Sequence, residues 1–312
     1  MKALFAILVL VTALCRSVQG QILVVNFANG TVGEYSTTGT AINSSFISGL
    51  DQPMGIAISG DDLFISEQGN GNIAEYTTSG TLVNPTLITG LSLPAGIAIY
   101  GNDLFVANSA GPTATTAVGE YTLSGTTVNA SLIPGIENPV GVATDGNYIY
   151  VSAFSGGTVG QYTMSGAAVN AALIGGGLHR LQNPGGLALD GNGDLYVSTY
   201  SAVGEYTISG GTINAALISS GYNTGTGLAL DGFGNLFWAD NYGGAGGNVV
   251  GAYTASGQVE NAALIKGVSN PVGIAIVPEP SSGGLTVLGI MCIVAFLKKS
   301  KVLRLKPNGH PA

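Results

Sequence analysis

A phrase of about 41 to 47 residues recurs six times along this chain, and a Tyr marks the same place in each copy: Tyr35, Tyr76, Tyr121, Tyr162, Tyr206 and Tyr253. After each Tyr comes a polar turn ending in Gly (Gly39, Gly80, Gly125, Gly166, Gly210, Gly257), then an Asn (Asn43, Asn84, Asn129, Asn170, Asn214, Asn261), then an apolar pair such as Leu87-Ile88. A period of this size implies one small supersecondary unit that cannot bury its faces alone and must stack on its neighbours. Within the second copy, four short runs bounded by Gly, Asn, Asp or Ser follow one another: Gly55 to Ile58, Leu63 to Ser66, Ile73 to Thr77, and Thr81 to Ile88. Runs of this length and bounding describe a four-stranded antiparallel meander.

Six such meanders arranged in a ring form a six-bladed β-propeller, an all-β fold that leaves only short protected edges. Pro-x-Gly-apolar-Ala opens the first strand of nearly every copy, as in Pro53/Gly55/Ala57 and Pro271/Gly273/Ala275. Pro is tolerated at the first residue of a strand, and Gly allows backbones to approach closely where six inner strands crowd one axis. The phase of the repeat matters most for closure. Gln21 begins at a second strand, whereas the last repeat element, Pro271 to Ile276, is a first strand, so the C-terminal strand completes the N-terminal blade. The stretch Gly186-Leu187-Ala188-Leu189-Asp190-Gly191-Asn192-Gly193-Asp194-Leu195-Tyr196-Val197 resembles NHL repeats, a propeller family, and the resemblance covers most of residues 21–277.

The segments flanking residues 21–277 carry targeting signals. Lys2, the apolar stretch Ala3 to Leu14 and the small-residue site ending at Gly20, before Gln21, read as a secretory signal over residues 1–20. At the other end Pro278-Glu279-Pro280 precedes fifteen uncharged residues, Gly283 to Leu297, and a basic block from Lys298 to Lys306. A helix of that length is about 22 Å long, short for a bilayer, and the basic block would stay cytoplasmic with the body outside. The order Pro-Glu-Pro, apolar segment, basic cluster resembles the PEP-CTERM sorting signal over residues 278–306. That resemblance implies recognition of the tail by an exosortase, a membrane transpeptidase; an uncleaved C-terminal transmembrane anchor is the other reading. Residues 307–312 form a polar extension beyond it. Either way the expected location is exported, membrane-anchored through the tail, and cell-surface or extracellular if the tail is processed.

Between Gln21 and Val277 stand sixteen acids against Arg180 and Lys266, a net charge of −14. A body this acidic repels phosphate backbones, so no nucleic-acid partner is expected. With one His and no Cys, the body offers no Ser-His-Asp set, His-pair metal site or Cys motif, and no disulfide.

Residues repeated in every blade are expected to be architecture: the six Tyr as inter-blade packing and the six Asn as local backbone acceptors. The alternative for the Tyr is a ring of pockets, one per blade. A single site should instead break the repeat. Candidates on the face made by the loops between second and third strands and by the blade-to-blade connections are Glu67, Asn108, Asp240 and Asn241, together with His179 and Arg180 in an enlarged loop. Propellers of the gluconolactonase type, which this architecture resembles, imply a divalent cation at the channel mouth, and hard oxygen donors suit calcium. Asp190 to Asp194 opens like a calcium loop but has Leu195 where Gly belongs, so it is expected to be a hairpin turn. Two functional classes follow: a surface or matrix binding module for polysaccharide or a surface protein, with no resident cofactor, or a calcium-dependent lactonase or lyase.

Overall fold

The computed structural model describes residues 20–109, 116–178, 180–219, 227–241 and 248–278. These form one compact unit, Gly20–Val277. Residues 1–19 of the expected signal over 1–20, His179, and the tail from Glu279 onward, including the expected C-terminal helix, lie outside the described residues. Among those described, no helix is long and apolar enough to cross a membrane.

The unit holds 24 strands in six antiparallel four-stranded sheets, so the expected six-bladed propeller is the fold. Blade 1 is β24 (Pro271–Val277), β1 (Gln21–Asn26), β2 (Thr31–Ser36) and β3 (Ala41–Ser48). Blade 2 is β4 (Pro53–Ser59), β5 (Asp62–Glu67), β6 (Asn72–Thr77) and β7 (Leu82–Ile88). Blades 3 to 6 repeat that order through β8 (Pro94–Tyr100) to β11 (Thr127–Pro134), β12 (Pro139–Thr144) to β15 (Ala168–Ile174), β16 (Leu187–Leu189) to β19 (Thr212–Ser219), and β20 (Leu228–Leu230) to β23 (Val259–Lys266). The ring closes as the repeat phase predicts. β1 pairs with β24 from Gln21 opposite Val277 to Asn26 opposite Pro271, so residues far apart in the chain complete one sheet. Gln21 and Val277 leave on one face of the ring, and the β1–β2 loop lies on the other.

The core consists of the six interfaces between blades. Alternate residues of a strand point to opposite faces, and both faces of the second strands are covered. Ile22 and Val24 pack against Phe237, Val250 and Ile265 of blade 6, whereas Leu23 and Val25 pack against Leu63 and Ile65 of blade 2. This explains why second strands read as nearly unbroken apolar runs with almost no exposure. Each such side chain fully buried contributes roughly 1.5–3 kcal/mol. The outer strands are mostly exposed, and each carries a bulge just after its Asn. At that bulge all six Asn side chains accept the backbone N–H two residues on, at 3.1 Å.

Around the axis the Gly of Pro-x-Gly is required by contact. A Cβ on Gly55 would stand 2.2 Å from the Ala95 carbonyl oxygen of the next blade, and one on Gly141 would stand 2.2 Å from the Gly185 carbonyl oxygen. Buried serines fasten the same crowded ring. Gly55 N–H donates to Ser66 Oγ (2.7 Å), whose hydroxyl donates to Ala95 O (2.6 Å), so one side chain ties blade 2 to blade 3. Ser152 does the same between blades 4 and 5.

Candidate functional site

Three cavities bear on function. The first lies at the axis, about 80 Å³, and its lining is hydrocarbon and backbone: Met54, Ile97, Val142, Leu187, Leu228, Ile274 and the Gly of the inner strands. None of the sequence candidates reaches into it. The other two sit under the outer-strand bulges of blades 2 and 5, at equivalent positions, with volumes of about 580 and 510 Å³.

Each of these two pockets is floored by the repeated Tyr. Its environment follows from strand geometry. The last residue of a second strand pairs with the first residue of the third, as Glu67 does with Asn72 and Asn108 with Ala117. On the third strand the residues two and four further on share the same face. One face of each blade therefore presents four side chains in a row, and in blade 2 these are Glu67, Asn72, Ala74 and Tyr76.

The candidates fall into this frame as follows. Glu67 is 5% exposed, lines the blade 2 pocket, and accepts the Asp51 N–H through Oε1 at 2.9 Å. Asn108, in the same register position of blade 3, is buried; its amide hydrogen-bonds the Tyr121 side chain, and its Oδ1 has no partner. Asp240 ends β21 (Asn235–Asp240) at the corresponding position of blade 6, half-buried beside Tyr253, with Asn241 next to it. Arg180 is exposed and lines the blade 5 pocket with Gln182, Thr199 and Tyr206. Glu67, Asn108 and Asp240 thus belong to the interiors of three different blades, and no cavity described here gathers them. Among the described residues no three His, Cys, Asp or Glu side chains cluster closely enough to hold a metal ion. Asp190 behaves as a turn residue: its Oδ1 accepts three backbone N–H groups, from Asn192, Gly193 and Asp194, and these hold its carboxyl below the usual range against the opposing effect of burial.

Electrostatics identify which hydroxyls are confined. Burial pushes the phenols of all six repeated Tyr up; the charge of Glu67 adds to this at Tyr76 and that of Asp240 at Tyr253. Five of the six are 3–8% exposed, each packed against the preceding blade. Tyr76 alone is only half-buried. The cause lies two residues back. The other five have Gly there, and a Cβ on Gly119 would stand 2.7 Å from the Tyr121 hydroxyl. Blade 2 has Ala74 instead, so the Tyr76 ring cannot take the inner seat.

Two residues escaped sequence reasoning. Asn26 is the blade 1 counterpart of Asn108; it is buried and accepts the Ser269 N–H at 3.0 Å, tying the last blade-to-blade loop to the first blade. Asn72 is 4% exposed and lines the blade 2 pocket; its Nδ2 donates to Pro85 O at 2.7 Å while its Oδ1 is buried without a partner. Aligning the six copies would have revealed both, because Asn72 is unique at its position and Asn26 matches Asn108.

No protein-family model matches this chain, and no curated protein matches it. Solved structures do. A chain from a nidogen/laminin complex shares 17% identity with a TM-score of 0.70, over 83% of this chain and 99% of that one. A gluconolactonase from Xanthomonas campestris shares 16% identity with a TM-score of 0.58, over 69% of this chain and 77% of its own. A virginiamycin B lyase from Staphylococcus aureus shares 18% identity with a TM-score of 0.52, over 82% and 78%. A matrix protein complex, a hydrolase and a lyase at such identities establish the propeller and leave function to the side chains.

Proposed function

We propose that this chain is an exported, NHL-like propeller acting as a binding module at the cell surface or in the extracellular matrix, with polysaccharide or a surface protein as its ligand. Residues 1–20 direct export. The tail from Pro278, with Glu279 and Pro280, delivers the body to the membrane as a PEP-CTERM substrate of an exosortase. Because Gln21 and Val277 leave on one face, the opposite face, with the β1–β2 and β5–β6 loops, is displayed away from the membrane.

The observation that carries the binding reading is where the cavities lie. The small axial cavity is lined by Gly and hydrocarbon, while pockets of small-molecule size sit on the rim at equivalent places in two blades. Volumes of about 300–1,000 Å³ are typical of such sites. Repeated rim pockets suit a polymer that meets several blades at once, since linked weak contacts give avidity.

The test is direct. Purified protein on a glycan array should retain a defined subset of glycans and show no calcium-dependent hydrolysis of gluconolactone. An array without any retained glycan would overturn the polysaccharide form of the reading, and lactone turnover lost with EDTA would overturn the binding module in favour of the enzyme. For delivery, Pro278→Ala with Pro280→Ala in the native host should leave the protein in the membrane fraction; unchanged release to the surface would refute sorting by that motif.

A further inference from the structure

Three departures from the repeat in blade 2 fall together on one face of one pocket. Where the other blades have Asn26, Asn108, Ala153, Thr199 and Asp240, blade 2 has Glu67. Where they have Thr31, Ala117, Thr158, Ala202 and Val249, it has Asn72. Where they have Gly, it has Ala74, and Tyr76, packed against blade 1, stays half-buried in the pocket lining. Strand pairing places Glu67 directly opposite Asn72, with Ala74 and Tyr76 following on the same face.

The chemistry of this set is one-sided. Glu67 accepts the Asp51 N–H through Oε1, and Asn72 Oδ1 is buried and unpartnered. A buried acceptor without a donor is costly in a folded protein. Such a group in a native structure calls for an explanation. The two cations of the body are elsewhere, Arg180 at the blade 5 pocket and Lys266 on β23. What would complete the pocket is therefore a ligand that brings both donors and positive charge. Tyr76 offers a half-exposed aromatic face, which attracts cations and packs on flat apolar surfaces. Leu82 and Pro85 widen the opening beyond what a bare metal ion needs, and the volume of about 580 Å³ accommodates a ring.

We infer that the blade 2 pocket binds an amino-sugar residue, its ammonium placed between Glu67 and Asn72 Oδ1 and its ring against Tyr76. This rests on the binding-module reading and names both the site and the ligand class within it. Blade 5 is its natural contrast: the same pocket holds Thr199 and Ala202 with a buried Tyr206, and has Arg180 at the edge in place of an acid.

The experiment is calorimetric titration of the protein with a glucosamine hexamer, using the N-acetylglucosamine hexamer, cellohexaose and N-acetyl-lysine amide as comparison probes. The glucosamine hexamer should bind at least tenfold tighter than either neutral hexamer, as charge-assisted hydrogen bonds require. Glu67→Gln should abolish that preference, and Asn72→Leu should weaken binding severalfold. Ala74→Gly, which lets Tyr76 retreat as in the other blades, should weaken it without lowering stability. Glu137→Gln, an exposed acid in another blade, controls for general attraction to the acidic body. Equal loss in Glu67→Gln and Glu137→Gln, or no preference for the amine, would overturn the inference. N-acetyl-lysine amide matching one sugar unit would overturn the sugar in favour of a protein partner. Retention of other glycans unaffected by Glu67→Gln would sink this pocket and leave the binding-module reading standing; failure to bind any glycan would sink this inference together with the polysaccharide form of that reading.

Discussion

Gly119→Ala isolates the rule that seats the repeated tyrosines. The added methyl would stand 2.7 Å from the Tyr121 hydroxyl and 2.8 Å from Cε2. Carbon contacts settle near 3.5–4.0 Å, so the ring must withdraw by about 1 Å. Tyr121 is 3% exposed and packs on Phe64, Ile73 and Ile88 of blade 2, so withdrawal loosens that interface. Overpacking of this kind costs about 1–3 kcal/mol. Replacing a strand Gly by Ala returns roughly 0.5–1 kcal/mol through the unfolded chain. The Asn108 amide, hydrogen-bonded to Tyr121, also loses its partner. A net loss of about 1–2 kcal/mol follows, which for a body of this size lowers Tm by about 2–8 °C. Trp238, the single Trp and only 1% exposed, reports unfolding by fluorescence, and hydroxyl-radical footprinting reports Tyr121 exposure. Blade 2 is the built-in control: Ala74→Gly should be close to neutral in stability while protecting Tyr76. A Gly119→Ala protein with unchanged Tm and a still-protected Tyr121 would refute the reasoning.

Three further outcomes are expected. Burial raises the carboxyls of Glu34, Glu75, Glu120 and Glu205, with Asp62, Asp103 and Asp194 adding to the last three, so their contribution is fully present below the unfolded value of 4.5 and is lost as pH rises through the folded values. Urea midpoints should therefore improve from pH 7 toward pH 5, an effect that changing all four to Gln should flatten; the lowered carboxyl of Asp190 loses its contribution only at more acidic pH, below its unfolded value of 3.8. Deleting residues 271–277 removes the strand that pairs with β1 and buries Val272, Ile274 and Ala275; loss of the cooperative unfolding transition by circular dichroism is expected, and retention of one would refute closure by that strand. Trp238→Phe should shift stability by less than about 1 kcal/mol, because the cavity it leaves is offset by removal of a buried, unpartnered indole N–H; a loss of several kcal/mol would mean that Nε1 has a partner.

The architecture was legible because a repeat states its constraints six times over. The turn Gly after each Tyr has a left-handed backbone in all six copies, from φ +80° at Gly257 to +90° at Gly210, and beside it the Thr or Ser following each Tyr accepts an N–H four residues on. Strand phase alone also disclosed the seam, since Gln21 starts one strand late and Pro271 begins one strand early. The site was less legible for a physical reason. Glu67 and Asn108 attract notice as polar residues at strand ends, yet what they do depends on the first residue of the adjoining strand and on the methyl group two positions beyond it. Asn72 looks like another loop residue until pairing sets it against Glu67. Ala74 looks like a harmless replacement for Gly until Tyr76 proves the least buried of the six repeated rings. Function in this fold is then sought where one blade cannot adopt the packing of the other five, because only there does the repeat leave a buried charge, an unpaired acceptor and an open aromatic face together.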